Sequence, residues 1–150
     1  MPAVVRLDGD DSALVFENAV FEDERSLGRY RRDYWFECDV TLAVAGEERV
    51  VHLEMIEPYR EDMLGFFEQL AEAKAPSRHR WESEYAELHL DVVIADDGPA
   101  TFDAEIWWPP DYERRERAQF QVATDQLPGF AERLREFVRL DQGERLKPAS

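Results

Sequence analysis

The chain has 150 residues and carries 34 acidic against 18 basic side chains, a net charge of −16. Its length suits a single domain that buries roughly 70% of its unfolded surface. So large a negative charge argues against nucleic acid or an anionic membrane as partner and favours a basic protein.

The expected domain is 1–150, with an ordered core over about 3–140 and a flexible tail over 143–150. Cys38 is the single cysteine, so no disulfide can form within the chain and a reducing compartment is expected. The opening MPAVVRLDGDD has neither a basic nor an apolar leader region, and no apolar run approaches the ~20 residues of a membrane span. A cytoplasmic location is expected.

Val4 to Leu7 and Leu14 to Val20 are expected strands, joined by an Asp8-Gly9-Asp10-Asp11 turn. A charged connection covers 22–33. In the next strand, Tyr34, Phe36, Cys38, Val40, Leu42 and Val44 share one face, and Trp35, Glu37, Asp39 and Thr41 the other. After the turn at 45–48, Val51, Leu53 and Met55 alternate with His52 and Glu54. The period then lengthens to that of a helix from Pro58, with Tyr59, Met63, Phe66, Phe67 and Leu70 on one stripe, ending at Ala75-Pro76-Ser77. Strand alternation returns with Leu88, Leu90, Val92 and Ile94 inward and Glu87, His89, Asp91 and Val93 outward. Asp96-Asp97-Gly98-Pro99 is turn chemistry. Phe102, Ala104, Ile106 and Trp108 then alternate with Asp103, Glu105 and Trp107, and Phe120 and Val122 continue the inward pattern. A last helix begins near Leu127, with Phe130, Leu134, Phe137 and Val138 on one side. No internal sequence repeat is evident.

Half-polar strands joined by short turns imply antiparallel pairing. The expected fold is α+β: one antiparallel sheet with both helices on one face, and Cys38, Leu90 and Trp108 buried between the two layers. Trp107 and Trp108 are adjacent on a strand and must point to opposite faces, so the Trp-Trp-Pro-Pro stretch is a strand end and not an aromatic box. Pro109 and Pro110 stop the pairing, and 109–117 is the expected hairpin tip.

The sequence contains no glycine-rich phosphate loop, no CxxC pair and no G-x-S-x-G elbow. Its best catalytic constellation is His52 and Glu54 with His89 and Asp91, each pair two apart on one strand face. These four could hold a metal or serve a hydrolytic enzyme if their strands were neighbours. A solvated polar sheet face is the weightier reading, so no catalytic residue, metal or cofactor is expected. Cys38 points inward and is inert on this reading. The outward residues Trp35, Glu37, Asp39, His52, Glu54, His89, Asp91, Asp103, Glu105 and Trp107 form an acidic face with two large aromatics. Aromatic anchors within complementary charge are what a protein-binding surface requires.

Asp33-Tyr34-Trp35-Phe36-Glu37-Cys38-Asp39-Val40 resembles the D-x-W-x-x-v-x-v segment of the WapI-type immunity proteins and their uncharacterised bacterial relatives. The elements after this strand come in a similar order too: a helix with Leu64, Phe67 and Leu70, the acidic run from Glu84 to Leu90, a hairpin, and a Leu127/Phe130/Leu134 helix. Trp81-Glu82-Ser83-Glu84 is similar to a W-x-S-x-E pattern in actinobacterial members. The resemblance implies a small cytoplasmic protein that neutralises a toxin without catalysis. It transfers no binding residues. The expected function is therefore a non-enzymatic, acidic, immunity-type inhibitor of a basic toxin, with a structural or regulatory module as a further alternative.

Overall fold

A computed structural model describes residues 4–21, 36–56 and 62–145. Four strands follow one another as a meander: β1 (Val4–Asp8), β2 (Ser12–Phe21), β3 (Phe36–Val44) and β4 (Glu47–Ile56), hydrogen-bonded in that order and all antiparallel. Helix α1 (Met63–Glu72) closes this half. A second meander, β5 (Ser77–Glu82), β6 (Leu88–Ile94), β7 (Ala100–Trp107) and β8 (Arg115–Val122), leads through a short 3₁₀ turn into helix α2 (Leu127–Arg145).

The α+β class and the antiparallel pairing agree with the sequence, but the strands divide into two four-stranded sheets instead of forming one. The order of four strands and a helix occurs twice, although the sequence of the halves does not repeat. The expected single sheet also leaves out β5, which pairs with β6 at the edge of the second sheet. In Ser77–Glu82 the residues on the covered face are Ser77, His79 and Trp81, each only half-buried, and Arg78, Arg80 and Glu82 occupy the other. That strand has period two but hardly any hydrophobic contrast, so apolar alternation does not reveal it.

The inward faces of both sheets and the apolar stripes of both helices form one continuous core. At its centre Phe16 of β2, Phe67 of α1 and Phe130 of α2 meet, with ring centroids 6.0, 6.1 and 4.8 Å apart. The helices pack on each other, and Arg135 is ion-paired with Glu68 between them at 2.5 Å. Cys38 and Leu90 are buried as expected, whereas Trp108 is only partly so. Its strand ends at Trp107, and its indole N–H crosses to the first sheet to donate to the Val50 carbonyl at 2.8 Å. Helix α2 continues to Arg145, so 143–145 belong to it and not to a tail. The expected 22–33 connection, Tyr34, Trp35, the 58–61 helix start and the last five residues lie outside the described residues.

Side chains and turns close off strand edges that would otherwise expose unpaired backbone. Arg133 of α2 donates to the Arg6 carbonyl of β1. The β1–β2 turn docks on β8: Asp10 N–H donates to the Gln121 carbonyl, and Gln121 N–H donates to the Asp10 carboxylate, both at 3.0 Å. Only glycine fits at position 9 in this contact. A Cβ there would lie 2.6 Å from the Phe120 ring and 2.9 Å from the Gln121 carbonyl oxygen. Gly9→Ala is expected to destabilise the protein by about 1–3 kcal/mol through overpacking. Urea unfolding measures it, and a wild-type midpoint would contradict this docking.

Candidate functional site

The outward residues separate into two surfaces of different character. On the second sheet the acids of the central strands are met by arginines from the strands on either side. Arg78 of β5 forks onto Asp91 of β6 at 2.9 and 2.6 Å, with Arg80 adding a contact at 3.3 Å. On the far side Arg117 of β8 forks onto Asp103 of β7, through one hydrogen bond of 2.8 Å and a second, shorter one. Glu105 stands opposite both His89 and Arg117 in the register. A shallow groove of about 490 Å³ runs over these residues. This half of the expected acidic face is therefore charge-balanced. β5 supplies two of the arginines that balance it.

Trp107 is not a bare aromatic anchor. The Arg115 guanidinium lies 3.6 Å from its ring centroid, and the His89 ring lies tilted against it with centroids 4.2 Å apart. His89 Nε2 donates to the Ala86 carbonyl at 2.9 Å, so that nitrogen is committed within the sheet.

The Arg78 guanidinium beside Asp91, outweighing the opposing effect of burial, holds its carboxyl below the usual carboxylate range. The native pKa is lowered, so this pair's contribution is complete above the unfolded carboxylate value and fades as pH falls through the lower native one. Arg78→Ala is expected to return the Asp91 pKa towards its ordinary value, as read by NMR titration of its carboxyl carbon. An unmoved titration would show that the fork does not persist in solution.

On the first sheet the balance is different. Asp8, Glu17, Glu37, Asp39, Glu48 and Glu54 face outward, with Arg6 and His52 as the cationic partners on the same face. The acidity of the described sheet surfaces is concentrated here. His52 Nδ1 donates to Asp39 at 2.8 Å, and its Nε2 lies 3.3 Å from Glu37. Asn18 donates to the other Asp39 oxygen at 3.0 Å. Burial alone would lower the His52 pKa, but the Asp39 and Glu37 carboxylates outweigh it, and the value stands above that of an ordinary histidine. Hydrogen bonds from His52 and then Asn18 hold the Asp39 carboxyl below its usual range.

The constellation of His52, Glu54, His89 and Asp91 does not assemble. Its first two members lie on β4 and its last two on β6, in different sheets. The structure instead gathers Glu37, Asp39, His52 and Glu54 across the β3–β4 pair. Irregular register explains why alternation alone does not show this grouping. Phe36 pairs with Ile56 but Cys38 with Leu53, so Glu37 stands against two residues of β4, Glu54 among them.

Beside this cluster lies a groove of about 450 Å³ between the sheets, lined by Val50, His52, Glu54, Tyr85, Glu87, Trp108, Pro109 and Tyr112 among others. Alternation places Glu87 outward, but it is only 2% exposed. β6 begins only at Leu88, and Ala86 turns the chain at φ 61°, which aims Glu87 into the joint between the sheets. There it accepts from the Ser83 hydroxyl at 2.6 Å and from the Glu54 backbone N–H at 3.1 Å. The Cys38 thiol is pushed far above the usual thiol range, by burial first and then by the carboxylates of Asp39, Glu87 and Glu37, which suits an inert core residue.

The chain defines a fold of two antiparallel sheets with a helix after each. No family model matches it, and no curated protein does either. Among solved structures it is similar to WHY1 from Arabidopsis thaliana, with 9% sequence identity, a TM-score of 0.52, and coverage of 95% of this chain and 92% of that one. At that identity the likeness is one of fold. The expected exclusion of nucleic acid as a partner does not hold against this structure, because arginines gather on one face of its second sheet. The physical fault in the exclusion is that net charge is a whole-molecule sum, while the second sheet carries Arg78, Arg80, Arg115 and Arg117 on one face. Among the described residues, no helix is long and apolar enough to cross a membrane.

Proposed function

We propose that this chain is a non-catalytic binding protein of the immunity type, an inhibitor that takes a basic toxin onto the outer face of its first sheet. The segregation of charge supports this reading most directly. Carboxylates accumulate around Glu17, Glu37, Asp39 and Glu54, while Asp91 and Asp103 of the second sheet are engaged by arginines. Such a face attracts a cationic partner at long range and accelerates encounter. The groove beside it offers Tyr85, Trp108 and Tyr112 as apolar contact, and aromatic side chains of this kind dominate binding energy when they become desolvated. The ion pairs on Asp91 and Asp103 also favour a binding role, since those carboxylates are already occupied.

The experiment begins with any secreted protein encoded directly beside this chain. Its variable C-terminal domain should co-purify with the chain and be neutralised by it. Glu17→Lys and Glu54→Lys are expected to slow association and flatten its salt dependence, with Glu105→Lys as the charge-matched control on the second sheet. Tyr112→Ala should weaken the complex by ~2 kcal/mol through faster dissociation. A single-stranded oligonucleotide is titrated in parallel. Tight, salt-dependent binding of the oligonucleotide, or association rates indifferent to Glu17 and Glu54, would overturn the proposal.

A further inference from the structure

We infer that Glu37, His52 and Glu54 form a binding site for a divalent first-row transition-metal cation such as zinc. One donor atom from each lies within 4.8 Å of the others, a spacing that a single ion can bridge. This inference goes beyond the partner reading and can be tested without any partner.

Three features of the surroundings support it. The first is orientation. Asp39 takes the Nδ1 proton of His52 at 2.8 Å and is itself held by Asn18. In the neutral ring this fixes the tautomer with its lone pair on Nε2, the nitrogen that faces Glu37 at 3.3 Å. A carboxylate behind the imidazole is the usual support of a metal-binding histidine. The second is placement by the backbone. Register shifts occur in both the β2–β3 and the β3–β4 ladders, and both fall at this cluster. One brings Glu37 beside Glu54, and the other, where Asn18 adopts φ 56°, brings Asn18 to Asp39. Bulges recur where a side chain has to be re-aimed. The third is electrostatic. Two like charges opposite each other on neighbouring strands destabilise a sheet, and a cation between Glu37 and Glu54 removes that cost.

The donor set selects the class of ion. One imidazole nitrogen with two carboxylate oxygens suits zinc, nickel or cobalt, whereas calcium and magnesium prefer oxygen alone. The side chains of His52 and Glu37 are 43% and 36% exposed, so the remaining coordination positions open to solvent. A reversible site fits this geometry better than a structural one.

The test is calorimetric titration of the full chain with zinc above neutral pH, followed by cobalt spectroscopy. One zinc per chain is expected. His52→Gln should abolish binding, and Glu54→Gln should weaken it. Asp39→Ala, which removes the orienting carboxylate without removing a ligand, should weaken it by about 10–100-fold. His89→Gln should leave it unchanged. The nitrogen-containing site should also give bound cobalt a visible absorption band that is absent from His52→Gln. These positions are on the surface, and circular dichroism should show each variant folded. Zinc binding that survives His52→Gln, or an absence of binding by the folded wild type, would overturn the site.

Discussion

Phe130→Ala is expected to cost the protein about 3–5 kcal/mol, the range for emptying a buried aromatic site. The residue is fully buried and lies where β2, α1 and α2 converge, against Phe16 and Phe67. Removing its ring therefore loosens the first sheet from both helices at once and leaves a cavity that three separate elements would have to close. Because the core is continuous across the two sheets, the loss should appear as a shift of one cooperative urea transition, with the slope nearly unchanged. Two resolved transitions in wild type or variant would mean that the halves fold independently and that the shared core does not couple them.

Glu87→Ala should show the second large effect, about 3 kcal/mol, because it strands buried partners that cannot turn to water. The Ser83 hydroxyl and the Glu54 backbone N–H both donate to this carboxylate. Ser83 also accepts from the backbone N–H groups of Glu87 and Leu88, so the turn before β6 depends on the same small network. Glu87→Gln keeps the shape and one acceptor oxygen and should cost less. Amide hydrogen exchange provides a local readout: the Glu54 N–H should exchange faster in Glu87→Ala, while amides of the β2–β3 ladder change only with global stability. If stability and the Glu54 rate both match wild type, Glu87 does not join the sheets.

Much of the local structure is legible because it rests on contrast along the chain. Phe36, Cys38, Val40 and Leu42 against Glu37 and Asp39, or Leu88, Leu90 and Val92 against His89 and Asp91, carry the period of a strand in their chemistry, and burial follows it. Both helices are visible for the same reason: Phe66, Phe67 and Leu70, and Phe130, Leu134 and Phe137, are stripes that only a helix can bury on one side. β5 lacks that contrast. Glu87 misleads because alternation does not reach it: it sits in a turn, where direction is set by φ and not by period.

The candidate site is half legible. Glu37, Asp39, His52 and Glu54 are recognisable as outward-facing, but spacing groups His52 and Glu54 with His89 and Asp91, which lie in the other sheet. The sequence by itself determined the α+β class, the antiparallel pairing, the buried positions of Cys38 and Leu90, and the end of a strand at the Trp-Trp-Pro-Pro stretch, because each depends on the polarity and shape of residues close together in the chain. Tertiary structure alone decided how many sheets those strands make, which arginine meets which carboxylate, and where acid remains uncompensated. These depend on pairings between segments distant in sequence and on register shifts of a single residue, and a one-residue shift changes which side chains face each other without altering the hydrophobic pattern that the sequence displays.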